Sequence, residues 1–170
     1  TMRRLWETTK WAIGCMVEGA LQPGASAWEA TVRVRMLHTQ VRHRLRNLDR
    51  WDTREWGVPI NQEDMTGTLL SFQYNVLYAI KEKVGCSVSP EEQEDYTHLW
   101  RYIGHLMGVQ PEHNPCTSFA ASKAAFESII LHIIEPDETS AKLCHHLLNT
   151  ARQHLPPPDG QGTSFEYHAA

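Results

Sequence analysis

Arg35 and His38 lie three residues apart, one helical turn, and of all the residues in this chain their types and spacing come nearest to a cofactor chemistry. His38 falls beside Val34, Leu37, Val41 and Leu45, which recur at helical spacing as an apolar stripe. A neutral imidazole on such a stripe can coordinate haem iron. Arg35 points to nearly the same side. A guanidinium there can pair with a haem propionate, and its charge beside an apolar stripe calls for an anion. The same two residues also fit a plainer arrangement, a core histidine bonded to a neighbour with solvated arginines around it. Spacing alone leaves both open.

Other chemistries find less support. Seven arginines fall between Arg33 and Arg54, which could lay a basic helix on nucleic acid. Glu29, Asp49, Asp52 and Glu55 interrupt that run, the whole chain carries a formal charge of −4, and no nucleic-acid-binding motif accompanies it. The paired ligands of a zinc hydrolase, H-E-x-x-H, are absent. His98 and His105 share a helix face, and His145 and His146 are adjacent, which suits packing or surface roles. Cys15, Cys86, Cys116 and Cys144 are widely spaced and form no CxxC pair, so neither a disulfide framework nor a zinc cluster is indicated. No apolar run reaches the roughly 20 residues that span a bilayer, and no secretory signal pattern opens the chain.

The elements that must position Arg35 and His38 read as helices. Residues 3–21 carry apolar side chains at helical spacing and stop at Pro23-Gly24. Ser26 and Glu29 match a capping box, which predicts a second helix from about Trp28 to Leu48. Residues 49–62, with Gly57 and Pro59, read as a loop. A third helix runs over about 63–84, begun by Asn61 and closed by Gly85. Ser89-Pro90-Glu91-Glu92 is a strong start signal for a fourth, ending near Met107-Gly108. A fifth covers about 118–134, and Asp137 to Ser140 caps a sixth through about His154. Pro156-Pro157-Pro158 breaks it, and 155–170 reads as a flexible tail. No alternating β pattern or internal repeat is visible. The 170 residues fit one domain, 1–154, an all-α bundle of about six helices.

Three stretches together carry a resemblance: Arg33 to Arg42 (RVRMLHTQVR), Trp56 to Leu70 (WGVPINQEDMTGTLL) and His98 to Gly104 (HLWRYIG). In order and spacing the chain, over about residues 1–154, resembles the catalytic domain shared by bacterial latex-clearing rubber oxygenases and the fungal MpaB-type oxygenases. The resemblance implies an all-α fold around a b-type haem. It implies cleavage of carbon–carbon double bonds in an apolar isoprenoid chain with dioxygen. It makes His38 the proximal iron ligand and Arg35 the arginine three residues before it. It places Arg4 and Thr8 on a helix facing the haem from the distal side, and Thr68, or less well Thr66, near the proximal side.

Two departures accompany it. Where rubber-cleaving members carry a lysine that can ligate the iron, this chain has Glu7. The glutamate that serves the family as a base would lie before Thr1. The start at Thr1 rather than at a methionine predicts a piece of a longer protein, truncated at its N-terminus. Glu7 can take over the base role, since a carboxylate facing a dry pocket accepts a proton more readily. The plainer account is a surface glutamate in a first turn. A relative that keeps the fold without a working distal site, or a helical interaction module without a cofactor, are the rival readings. The family's fungal members are membrane-anchored and its bacterial ones secreted, so the resemblance leaves the compartment open.

Overall fold

The computed structural model describes residues 2–154. Among them the regular structure is all helical, with no strand. The helices are α1 (Met2–Gly14), α2 (Ser26–Arg46), α3 (Thr53–Trp56), α4 (Gln62–Ala79), α5 (Pro90–Met107), α6 (Phe119–His132) and α7 (Glu138–His154). A π-helical turn (Ile80–Val84) follows α4, and a 3-10 turn (Pro111–His113) follows α5. The all-α class is as the sequence predicts. The extra helix is α3, a single turn inside the stretch read as a loop. The chain divides into two compact units. One is Trp6–Ile134. The other joins the chain's ends, of which residues 2–5 and 135–154 are described. The tail expected over 155–170 lies outside the described residues.

Within Trp6–Ile134 the core forms where α4, α5 and the end of α1 meet. Trp100 and Ile103 are fully buried, and Cys15, Leu21, Ala27, Leu69 and Cys116 close around them. Phe72 stacks on Trp100 at 5.1 Å between ring centroids, and Trp11 meets both rings edge-on at 5.9 and 6.0 Å. Fully burying side chains of this size contributes about 1.5–3 kcal/mol each. Polar links cross the same layer: Gln73 Nε2 donates to Thr97 Oγ1 at 2.7 Å, and the Tyr96 hydroxyl donates to the Phe72 carbonyl at 3.0 Å. On the far side of α4, Tyr74 packs on Phe119 and Phe126 of α6.

The helix starts follow local chemistry. Asn61 and Asp64 form the reciprocal capping box of α4, and Ser89 and Glu92 form that of α5. The hydrogen bonds to Ser89 hold the Glu92 carboxyl below its ordinary pKa. Gly108 ends α5 in the left-handed region at φ 97°, where an L side chain is strained. In α7, the amide of Ser140 donates to Asp137 Oδ1 at 2.7 Å, the cap expected there.

Three local expectations are corrected. The first helix stops at Gly14, not near residue 21. Tight turns replace it, with amide bonds from Val17 to Gly14, Ala20 to Val17 and Gln22 to Gly19, the last three residues apart like the others. They carry Leu21 into the core and leave Val17 exposed, which a continuous helix face would not do. The Ser26–Glu29 capping box does not form. Ala25 is the N-cap, the Trp28 amide is taken by the Ala20 carbonyl, and Glu29 pairs with Arg33 at 3.1 Å. Finally, Leu37 is not part of the buried stripe. It is 54% exposed, and the inward face of α2 runs through Ala27, Thr31, Val34, His38, Val41 and Leu45.

Candidate functional site

The inward face of α2 is where the sequence-predicted ligand sits. Thr31, fully buried, fixes this face to α1: its hydroxyl donates to the Ala27 carbonyl at 2.7 Å and accepts from the Trp11 indole at 2.8 Å. Two turns on, His38 is half-buried. Its Nδ1 is buried and has no hydrogen-bond partner among the described residues. Burial, and after it the neighbouring charge of Arg42, lowers the imidazole pKa below its usual 6.5. At neutral pH the ring is therefore uncharged and has a lone pair to give.

Arg42, one turn beyond His38, reaches away from α2. Its Nε donates to the Pro59 carbonyl at 3.1 Å and its Nη2 to the Ile60 carbonyl. These bonds join α2 to the turn before α4. The Trp51 indole donates to the Gly57 carbonyl of the same turn at 3.0 Å.

Arg35 lies on a different side of α2, toward the end of α5. Its Nη1 makes a long contact, 3.5 Å, to the Leu106 carbonyl. That carbonyl belongs to the last turn of α5, where unpaired carbonyls carry partial negative charge. Arg35 thus has a counter-dipole inside the protein, so its charge does not by itself require an external anion. Gly108 lies close beneath Arg35: a Cβ there would stand 3.1 Å from Arg35 Nε, so the guanidinium would have to shift by a few tenths of an ångström. Gln62, the first residue of α4, ties off the same corner, donating to the Gly108 carbonyl and accepting from the Gln110 amide.

Beside Arg35 opens a cleft of about 450 Å³ between α2 and the end of α5. Trp28, Val32, Met36 and Leu106 make it apolar, with Arg35, Thr39, Gln40 and His105 as polar groups. His38 does not line it. The two residues paired by sequence spacing therefore share a turn of α2 and work on adjacent sides of it.

The remaining predicted residues are placed as follows. Arg4, Glu7 and Thr8 are all exposed on α1; Arg4 falls in the unit of the chain's ends, Glu7 and Thr8 in Trp6–Ile134. Thr68 is exposed and its hydroxyl donates to the Asp64 carbonyl of its own helix at 2.9 Å. Thr66 is half-buried and bonds the His113 carbonyl at 3.2 Å. Sequence reasoning assigned no functional role to Arg42, Ile60, Gln62 or Gly108, the last being read only as a helix end. Arg42 alone left a signal: it follows His38 by one turn, on the side that turns inward.

A donor set for haem needs as few as one protein ligand, because the macrocycle itself supplies four nitrogen donors. His38 fits that need, with a neutral ring and a buried nitrogen that no protein group satisfies. Buried polar atoms are rarely left without a partner.

Comparison with known proteins adds the following. The profile of the family described as "ER-bound oxygenase mpaB/B'/Rubber oxygenase, catalytic domain" matches residues 1–162. A rubber oxygenase of Streptomyces sp. (strain K30) is 33% identical over 121 residues, covering 68% of this chain and 30% of that protein. The chain thus spans less than a third of the length of that relative. No solved structure matches.

Proposed function

Since the chain belongs to the family of ER-bound mpaB/B′ oxygenases and rubber oxygenases, sharing their catalytic domain, we propose that it is the haem b-binding part of an oxygenase that cleaves double bonds of an isoprenoid chain with dioxygen. The observation that carries this reading is the unpartnered, buried Nδ1 of His38.

In this reading His38 holds the cofactor by donating a ring lone pair. Its lowered pKa keeps that lone pair free of a proton at neutral pH. Arg35 pairs with a propionate at the edge of the cleft it lines. Thr68 is the weakest member of the set, because its hydroxyl already bonds Asp64. Haem, when bound, supplies the redox chemistry that activates dioxygen. The protein's part is ligation, orientation and exclusion of water. The family resemblance would give Thr8 and Arg4 of α1 polar roles toward the substrate and make Glu7 the group that would hold a proton; all three are exposed. The apolar walls of the cleft, Trp28, Val32 and Met36, suit a hydrocarbon chain.

Absorption spectroscopy tests the assignment. Wild-type chain supplied with haem should give a Soret band, and His38→Ala should lose most of it while its helical circular dichroism is unchanged. Equal haem content in the two proteins would remove His38 as the ligand. Oxygen consumption with a polyisoprene then tests the reaction itself.

A further inference from the structure

Ile60 is the one residue other than glycine with a positive φ among the described residues, at 51°. That conformation is costly for any L side chain and most of all for a β-branched one. It persists only where the surroundings over-determine it. The surroundings here are Arg42, whose guanidinium donates to the carbonyls of both Pro59 and Ile60. The next residue, Asn61, caps α4 through reciprocal bonds with Asp64 at 2.9 and 3.0 Å. One side chain of α2 therefore holds the strained residue from which α4 starts. It leaves α2 one turn after His38, and both residues are half-buried.

We propose that Arg42 is a positioning residue that clamps the Pro59–Ile60 turn in its left-handed form and so fixes the start of α4 against the His38 face of α2. The link to cofactor binding rests on the haem reading above; the clamp itself does not. Arginine suits the role, because its planar fork can serve two neighbouring carbonyls at once while a lysine offers one compact donor group. Glycine at position 60 would take the same φ without strain, which makes the idea testable by rescue.

Amide hydrogen exchange of Asn61 and Asp64 is measured on the chain without haem, and haem affinity is measured on the same variants by Soret titration. Arg42→Ala should speed exchange at both amides by about tenfold or more and weaken haem binding. Adding Ile60→Gly to Arg42→Ala should restore most of both. Arg42→Lys should fall between wild type and Arg42→Ala. A single variant that fails to fold while the double variant folds supports the clamp equally. Wild-type exchange rates in Arg42→Ala, or a double variant no better than the single, would overturn it. Faster, rescued exchange with haem affinity unchanged would uphold the clamp and overturn its link to the His38 face. Absence of a Soret band in wild type defeats the haem reading, and the exchange rates and their rescue then decide for or against the clamp alone.

Discussion

Two regions of this molecule bury polar atoms that no protein group satisfies, and they do so under different conditions. At the α4–α5 contact, Gln73 and Trp100 are 0% and 1% exposed, and each keeps one polar atom without a protein partner, Gln73 Oε1 and Trp100 Nε1. The Trp100 ring is enclosed by the stacked Phe72 ring and the edge-on Trp11 ring. On the inward face of α2, the orphaned Nδ1 belongs to a half-buried imidazole. The first region is a packed layer whose unmet hydrogen bonds are by-products of close aromatic packing. The second combines an unmet bond with a neutral titratable ring on a half-buried residue, although the Nδ1 atom itself is as enclosed as the other two.

The comparison breaks most visibly in the packed layer. Trp100→Ala should lower the unfolding free energy by about 3–5 kcal/mol, read by urea denaturation of the haem-free chain. His38→Ala should move that midpoint far less. Equal losses would make His38 one more core residue.

A smaller effect separates the two sides of α2. Arg35→Ala removes a charged donor from the end of α5 and, in the proposed reading, a propionate partner. Haem affinity should fall by roughly tenfold or more. Arg35→Lys should lose less, since it keeps the charge without the fork. Equal Soret titrations for wild type and both variants would confine Arg35 to the contact with Leu106.

Asn61→Ala should cost about 1 kcal/mol through loss of the α4 cap, again by urea denaturation. It sharpens the contrast if haem binding also weakens, because α4 would then be shown to serve the α2 face as well as the core.

The smallest effect is graded with pH. The His38 pKa is lower in the folded chain than its ordinary 6.5. The stabilisation tied to its neutral form is therefore full above about 6.5, and is lost as pH falls through the lowered folded value. Urea midpoints of wild type should drop toward acid more steeply than those of His38→Ala. Parallel profiles would mean that burial does not tax the charged ring.

Much of this was legible along the chain. Caps act within four residues, so Asn61, Ser89, Ser118 and Asp137 could be read as helix starts and are found as such. The three sequence blocks identified the family, and periodicity identified the helices. Where a distant group competed, the reading failed. Ser26 looked like a cap, but the helix starts one residue earlier, with Ala25 as its N-cap; the Trp28 amide goes to the distant Ala20 carbonyl and the Glu29 amide to Ala25. Leu37 looked like core, but a stripe wide enough to be plausible does not say which of its edges meets a neighbour.

The sequence by itself determined the all-α class, the starts of α4, α5, α6 and α7 and the presence of His38 on an apolar helix, because each rests on chemistry within a turn or two. Only the tertiary structure decided that His38 and Arg35 work on adjacent sides of α2, that the end of α5 answers the Arg35 charge, and that Arg42 reaches a strained Ile60. Those contacts join residues 17–71 positions apart. A direction in space that depends on where another helix ends is not written in the spacing of either helix.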